Sequence, residues 1–433
     1  MDRRYDLGMS NRRPDASRVH LVEEVESAGS TEPPSSLRWL TTMTKPKTLP
    51  TPPIGTESGT FKMPRRRKGR RPSIDAVDLF CGAGGLSYGL SQERIRVRSG
   101  FDLDPACEWP FKKNVKARFF CGDVAELSGK ELKKFYRPSA VKLLAGCAPC
   151  QRFSNYTQKK SRSNWQRWRL VDSFTRIALE LKPEIITMEN VPGLTRHRRF
   201  KVFMTALRDA GYSTWQGIVE CADYGTPQRR QRLVVLASRL GPIRLLTAAE
   251  FGVERQTVRE AISTLHPVRA GETHGIDALH RASALTRKNM KRIEASRPGG
   301  TWRDWPEHLV LPCHRKASGA GYPSIYGRMQ WDDQSPTITT QFYNYGSGRF
   351  GHPTQNRAIT LREAALLQTF PRRYSFISDH ASVNVRGLGR LIGNAVPVML
   401  ARVIGRSIVA HVAGAKAKRN TSLSRGRHSH TRK

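Results

Sequence analysis

Residues 74–90 read IDAVDLFCGAGGLSYGL. The first six are a short, largely apolar run with branched side chains, the composition of a buried strand. Gly82, Gly84 and Gly85 then permit a tight turn and let the backbone approach a ligand with no Cβ in the way. A strand that runs into a glycine-rich turn fits an α/β sheet, whose ligands sit at the carboxyl ends of its strands. The spacing is neither G-x-G-x-x-G nor a Walker loop, which disfavours a nicotinamide dinucleotide or ATP.

The same texture continues along the chain. VRSGFDLD (97–104), FFCG (119–122), KLLAGCAP (142–149), EIITMENVP (184–192) and RLVVLAS (232–238) are short apolar runs that end in Gly, Pro or Asp. FTRIALELK (174–182) and FKVFMTALRDAG (200–211) lie between them with helical spacing. Strands alternating with helices predict a parallel sheet covered on both faces. Asp102 and Asp104 end the second strand, where a carboxylate can accept hydrogen bonds from ribose hydroxyls, and Asp123 ends the third. A glycine-rich turn with acids after strands two and three suits an adenosyl ligand that lacks phosphates, of which S-adenosylmethionine is the obvious member.

Past Ser238 the alternation fades into irregular sequence rich in Trp, Tyr, Gly and Arg, as in PGGTWRDWPEHLVLP and SGAGYPSIYG. Apolar helical spacing returns in VPVMLARVIGRSIVAHV (396–412). The expected organisation is a disordered basic extension over 1–72, a catalytic and cofactor-binding domain over 73–239, and a small irregular domain over 240–386. A helix over 387–412 then completes the catalytic domain, before a disordered basic tail over 413–433. The extension, rich in Pro, Ser and Thr, cannot bury enough apolar surface to offset its ordering entropy.

Lys and Arg number 74 against 36 Asp and Glu, a formal charge of +38. The two ends carry only part of that excess. So basic a chain fits a polyanionic partner, foremost nucleic acid, through phosphate neutralisation and counterion release. The seven cysteines show no framework spacing, which suits free thiols in a reducing compartment. No apolar stretch is read as reaching the length of a membrane span, and no secretory leader is read at the start. The expectation is a soluble, cytoplasmic, nucleoid-associated monomer.

GCAPCQRFS (146–154) carries a Cys-x-x-Cys pair, Cys147 and Cys150. By itself this could be a redox centre, half a metal site, or one nucleophile beside a bystander. It is followed by ENV (189–191), QRRQR (228–232), SPTITT (335–340), LREAALLQTFP (361–371) and GNAVP (393–397). With DLFCGAGG (78–85) at their head, these seven blocks resemble, in order, the motifs of the DNA cytosine-5 methyltransferases of bacterial type. The resemblance spans residues 75–410 and implies a Rossmann-like, S-adenosylmethionine-dependent methyltransferase sheet with a second, smaller, irregular target-recognition domain.

The resemblance also implies roles. Cys150 would attack carbon 6 of cytosine, turning the ring into an enamine that accepts a methyl group at carbon 5. Glu189 would protonate or hydrogen-bond the ring nitrogen, while Arg232 and Arg230 orient the base and hold Glu189. Phe80, Gly82, Gly84, Gly85, Leu86, Asp102, Leu103, Asp123, Val124, Asn394 and Val396 would line the S-adenosylmethionine pocket, and no metal is implied. Asn190 is read as structural, pinning the loop. Cys147 stands where the family usually has Gly, and is read as a small buried residue with no role in the chemistry.

Carbon 6 is inaccessible in stacked DNA, so the base must be flipped out. RFSNYTQKKSRSNWQRWR (152–169) suits a loop closing over double-stranded DNA. In it Arg152, Ser154, Lys159, Lys160, Arg162 and Arg167 would serve phosphates, and Trp165 stacking or wedging. Trp302, Arg303 and Arg315 are candidates for base readout, with Trp305 and His314 beside them. A thiol oxidoreductase or a zinc protein would leave Glu189 and the arginine run without a purpose. An RNA cytosine-5 methyltransferase of the same fold and a catalytically silent DNA-binding regulator are the alternatives, and a restriction endonuclease is a possible genetic partner.

Overall fold

The computed structural model describes residues 73–149 and 164–428, without the side chains of 164–169, 318, 320 and 418–428. Seven strands form one sheet: β1 (Ile74–Leu79), β2 (Arg96–Asp102), β3 (Arg118–Cys121), β4 (Val141–Gly146), β5 (Ile185–Asn190), β6 (Ser213–Glu220) and β7 (Gln231–Ser238). Their order is β3-β2-β1-β4-β5-β7-β6. The chain reverses direction across the sheet between β1 and β4, the switch point where such sheets open a crevice at their carboxyl ends.

The sheet is mixed, not wholly parallel. β7 runs antiparallel to both β5 and β6. β6 and β7 are consecutive and joined by the short segment 221–230, too brief for a crossover, so they pair as a hairpin.

Side-chain alternation along the strands builds two cores. On one face Ala76, Leu143, Ala145, Ile185, Val234 and Leu236 pack against helices α1 (Gly85–Gln92) and α13 (Val398–His428). On the other, Val77, Leu144, Ile186, Met188 and Val235 meet Phe174 and Ile177 of α4 (Asn164–Leu181) and Phe203 and Leu207 of α5 (Arg198–Asp209). α2 (Glu108–Val115) and α3 (Gly129–Lys133) complete this half.

Residues 240–386 hold only short helices and isolated bridges among the described residues. The helices are α6 (Ala248–Phe251), α7 (Val258–Ile262), α8 (Arg287–Glu294), α9 (Pro312–Arg315), α10 (Ala317–Ala320) and α11 (Leu361–Leu367). α12 (Val385–Asn394) leads back to the sheet.

Two expectations about the end of the chain are corrected. α13 continues to His428 through the stretch read as a tail, because AGAKAKR is rich in strong helix formers and contains no proline. Val385–Ala417 is also long and apolar enough, by length and composition, to cross a membrane, but 67% of its most apolar window is buried inside the protein. Leu400, Val403, Ile404, Ile408 and Val412 of α13 pack on the sheet, while Leu388, Leu391 and Ile392 of α12 pack with residues of the irregular region.

Candidate active site

The glycine-rich turn is fastened at several points. Phe80 leaves β1 with φ 59°, a left-handed conformation uncommon for a bulky residue and found at functional turns. The Cys81 and Cys147 amides donate to the carbonyls of Phe101 and Leu79, holding the turn between β2 and β4. Gly84 caps α1 in the left-handed region, and the Tyr374 hydroxyl donates to the Ala83 carbonyl. At Gly85 a Cβ would stand 2.4 Å from the Val396 carbonyl oxygen. Glycine is therefore what lets the turn meet the GNAVP segment.

The residues around this turn fit an adenosyl ligand. Asp102, at the end of β2, accepts from the Gly82 amide at 2.9 Å and from the Asp104 amide at 3.0 Å, with the Cys107 thiol as a third partner. A carboxylate offers about four lone-pair sites, so one remains for a hydroxyl. Burial raises the Asp102 carboxyl above its ordinary range. Leu103 beside it is 68% exposed, an apolar surface at the crevice. Among the described residues nothing lies within 4 Å of where a Gly82 Cβ would point. Asp123 caps the short turn 124–126, accepting from the Ala125 amide at 2.8 Å. Asn394 is exposed at the end of α12, while Val124, Leu86 and Val396 are buried.

The second cluster lies on the same face of the sheet, along β4, β5 and β7. Met188 pairs with Gly146, so Glu189 and Cys147 are the next residues along two neighbouring strands. Glu189 pairs with Val234, which puts Arg232 at its diagonal neighbour on one face. Arg232 Nε lies 2.9 Å from Glu189 Oε1, and Cys147 Sγ donates to Oε2 at 2.8 Å. Glu189 is 3% exposed. Asn190 donates to the Ala148 carbonyl and accepts from the Val191 amide. It pins the segment leading to position 150, as the sequence reading has it.

Arg230 occupies a different place from the one expected. Its guanidinium is buried and donates to the carbonyls of Ile338, Gly393 and Ala395. Burial, reinforced by neighbouring Arg232, pushes its pKa down to about 9, still charged at neutral pH. Gln228 works beside it, accepting from the Ile338 amide and donating to Leu367 and to the Gln368 side chain. Gln368 in turn donates to the Ile392 carbonyl. These side chains lace QRRQR, SPTITT, LREAALLQTFP and GNAVP into one knot, so Arg230 is a clasp and not a residue facing Glu189. Arg229 is exposed and paired with Asp333.

Cys150, Arg152, Ser154, Lys159, Lys160 and Arg162 lie outside the described residues, as do the side chains of Trp165 and Arg167 in the first turn of α4. Trp302, Trp305 and His314 are core residues, which corrects their reading as base-contacting candidates. They pack with Ile293, Tyr326 and Tyr345, and both indole N–H groups are satisfied internally. Arg303 is exposed over the Trp302 ring, and Arg315 is exposed, donating to the Glu307 carbonyl and pairing with the Glu307 carboxylate at 3.8 Å. The sequence reading misses Cys147, Gln228 and Gln368. The two glutamines stand inside quoted motifs, but nothing in their spacing shows that they meet.

A family model described as C-5 cytosine-specific DNA methylase matches residues 74–410. The Type II methylase M.HgiDII of Herpetosiphon aurantiacus is 47% identical over 341 residues, covering 78% of this chain and 96% of that protein. The Type II methyltransferase M.Eco47II of Escherichia coli is 30% identical over 342 residues, covering 77% of this chain and 78% of its own. In fold, a prophage-encoded E. coli protein described as a DNA modification methyltransferase superposes with a TM-score of 0.60 at 21% identity, over 79% of this chain and 100% of its own. The chain belongs to the C-5 cytosine-specific DNA methylases, which transfer a methyl group from S-adenosylmethionine to carbon 5 of cytosine in DNA.

Proposed function

We propose that this chain methylates a flipped-out cytosine within a specific DNA sequence through a covalent bond to Cys150, with Glu189 as proton donor and Arg232 as its holder. The observation that carries the reading is the buried carboxyl of Glu189, held by Arg232 at the carboxyl edge of the sheet, on the strand beside the one that leads through Pro149 to Cys150.

Cys150 attacks carbon 6 as a thiolate, and the ring nitrogen gains a proton from Glu189 as the Sγ–C6 bond forms. Carbon 5 thereby becomes nucleophilic. S-Adenosylmethionine, when bound, supplies the electrophilic methyl group. Asp102, Leu103 and Asp123, with the turn at Gly82–Gly85 and the Asn394–Val396 segment, hold it at the crevice. A base then takes the proton from carbon 5, Cys150 leaves as thiolate, and the ring nitrogen returns its proton to Glu189. Arg230 acts at a distance, by keeping four motifs in register.

Residues 240–386 serve target recognition and residues 152–169 close over the DNA, with Arg303 and Arg315 as exposed cations in reach of phosphate or bases. The Type II names of M.HgiDII and M.Eco47II support a place beside a cognate restriction endonuclease. Bisulfite sequencing of the genome of a host without cytosine methylation, after expression of this chain, tests the reading. One recurrent methylated motif is the expected result. Unmethylated DNA in the presence of soluble protein that binds S-adenosylmethionine refutes it.

A further inference from the structure

We infer that Cys147 is a positioning residue for this reaction, holding the Oε2 oxygen of Glu189 on the opposite side from Arg232 and marking Oε2 as the oxygen that carries the transferred proton. The inference rests on Glu189 being the proton donor.

The two contacts are not equivalent. Arg232 Nε reaches Oε1 at 2.9 Å, and Cys147 Sγ reaches Oε2 at 2.8 Å. A guanidinium only donates, so Oε1 must remain an acceptor in every protonation state. A thiol donates weakly and its sulfur also accepts weakly. Cys147 therefore suits both forms of the acid: its S–H faces Oε2 when Glu189 is ionised, and its sulfur can receive the O–H of protonated Glu189 until the base arrives and the O–H turns to the ring nitrogen. The proton belongs on Oε2.

The placement of Cys147 comes from the sheet. Its amide donates to the Leu79 carbonyl at 3.2 Å, extending the β1–β4 ladder by one residue, and Gly146 before it pairs with Met188. The backbone that carries the thiol is therefore fixed at the end of β4, beside Glu189 on β5. Glycine at this position would leave Oε2 without this partner.

Steady-state methylation of DNA by Cys147→Ser, Cys147→Ala and Glu189→Gln, with thermal melting and S-adenosylmethionine affinity measured on each, tests the inference. Serine keeps a group that both donates and accepts, so Cys147→Ser is expected to retain kcat within about threefold. Cys147→Ala is expected to lose kcat by about tenfold, the scale of one hydrogen bond to a charged group, with KM for DNA and melting temperature unchanged. Exchange of the cytosine carbon-5 hydrogen with solvent should fall in parallel, because it reports attack at carbon 6 before any methyl transfer. Wild-type kcat in Cys147→Ala, or equal losses in the Ala and Ser variants at native melting temperature, overturns the inference. Full methylation by Glu189→Gln overturns the assignment of Glu189 itself, whatever the Cys147 variants do.

Discussion

Arg232 Nε and Glu189 Oε1 stand 2.9 Å apart, with 12% of the arginine side chain and 3% of the glutamate exposed. A pair so withdrawn from water contributes little net stability as a pair, yet removing one partner strands the other charge. Its arrangement follows from the antiparallel register of β5 and β7, which sets Arg232 diagonally across from Glu189. The pair is thus a device for fixing a carboxyl where a flipped base would arrive.

Arg232→Ala is expected to lower kcat by more than a hundredfold and to destabilise the fold by about 3 kcal/mol, because Glu189 is left buried and unpaired. Arg232→Met in the Glu189→Gln background should recover most of the stability and none of the activity. Denaturant unfolding read together with kcat separates the two effects.

Gly85→Ala is expected to weaken S-adenosylmethionine binding and lower the melting temperature together, since the new Cβ meets the Val396 carbonyl at 2.4 Å. The carbonyl is backbone and a Cβ is fixed by its own main chain, so no rotamer change relieves the contact. Calorimetric titration with S-adenosylmethionine checks this, and Gly211→Ala, with open space around its Cβ but φ 82°, gives the cost of backbone strain alone.

Arg230→Met should unfold the junction of four motifs. Three carbonyls lose their donor, each leaving an acceptor without its partner at about 1 kcal/mol or more. The expected outcome is a lower melting temperature, with kcat per folded molecule falling less than in Arg232→Ala. An Arg230 variant with native melting temperature and no activity would instead place its guanidinium in the chemistry.

The pH dependence of stability carries the mark of Asp78. Complete burial drives its carboxyl up to about 7, partly offset by the Ser87 hydroxyl, which donates at 2.7 Å. The folded value lies above the unfolded value of 3.8. The stabilisation is therefore fully present below pH 3.8 and is lost as pH rises through about 7. Asp78→Asn cannot ionise, so its melting temperature should gain on the wild type between about pH 4 and pH 7 and hold level above that. A constant difference across that range would show that Asp78 does not titrate there.

Much of this is legible in the sequence, for identifiable reasons. β1 and its glycine turn can be read from 74–90 because a buried strand and a run of glycines each leave a distinct local pattern, whereas the eight residues of α1 are too few to show a helical period. β6 is not legible: STWQGIVE lies at the sheet edge, half-exposed, and has no continuous apolar run. The reversal of β7 cannot be read either, since periodicity reports a strand and not its direction. Glu189 and Arg232 can be found through their motifs, whereas the Cys147 contact depends on β4–β5 register. Trp302, Trp305 and His314 mislead because aromatic and imidazole rings suit a core as well as a binding surface, and here internal acceptors satisfy the indoles.

The central claim is that Cys150, and not its neighbour Cys147, forms the bond to cytosine. DNA carrying 5-fluorocytosine tests it most directly, because fluorine cannot leave carbon 5 as a proton does and the adduct persists. The protein is incubated with that DNA and S-adenosylmethionine, digested, and the crosslinked peptide sequenced by mass spectrometry. The expected result is a crosslink on Cys150 that disappears in Cys150→Ser and remains in Cys147→Ser. A crosslink on Cys147, or no adduct from protein that methylates ordinary DNA, contradicts it.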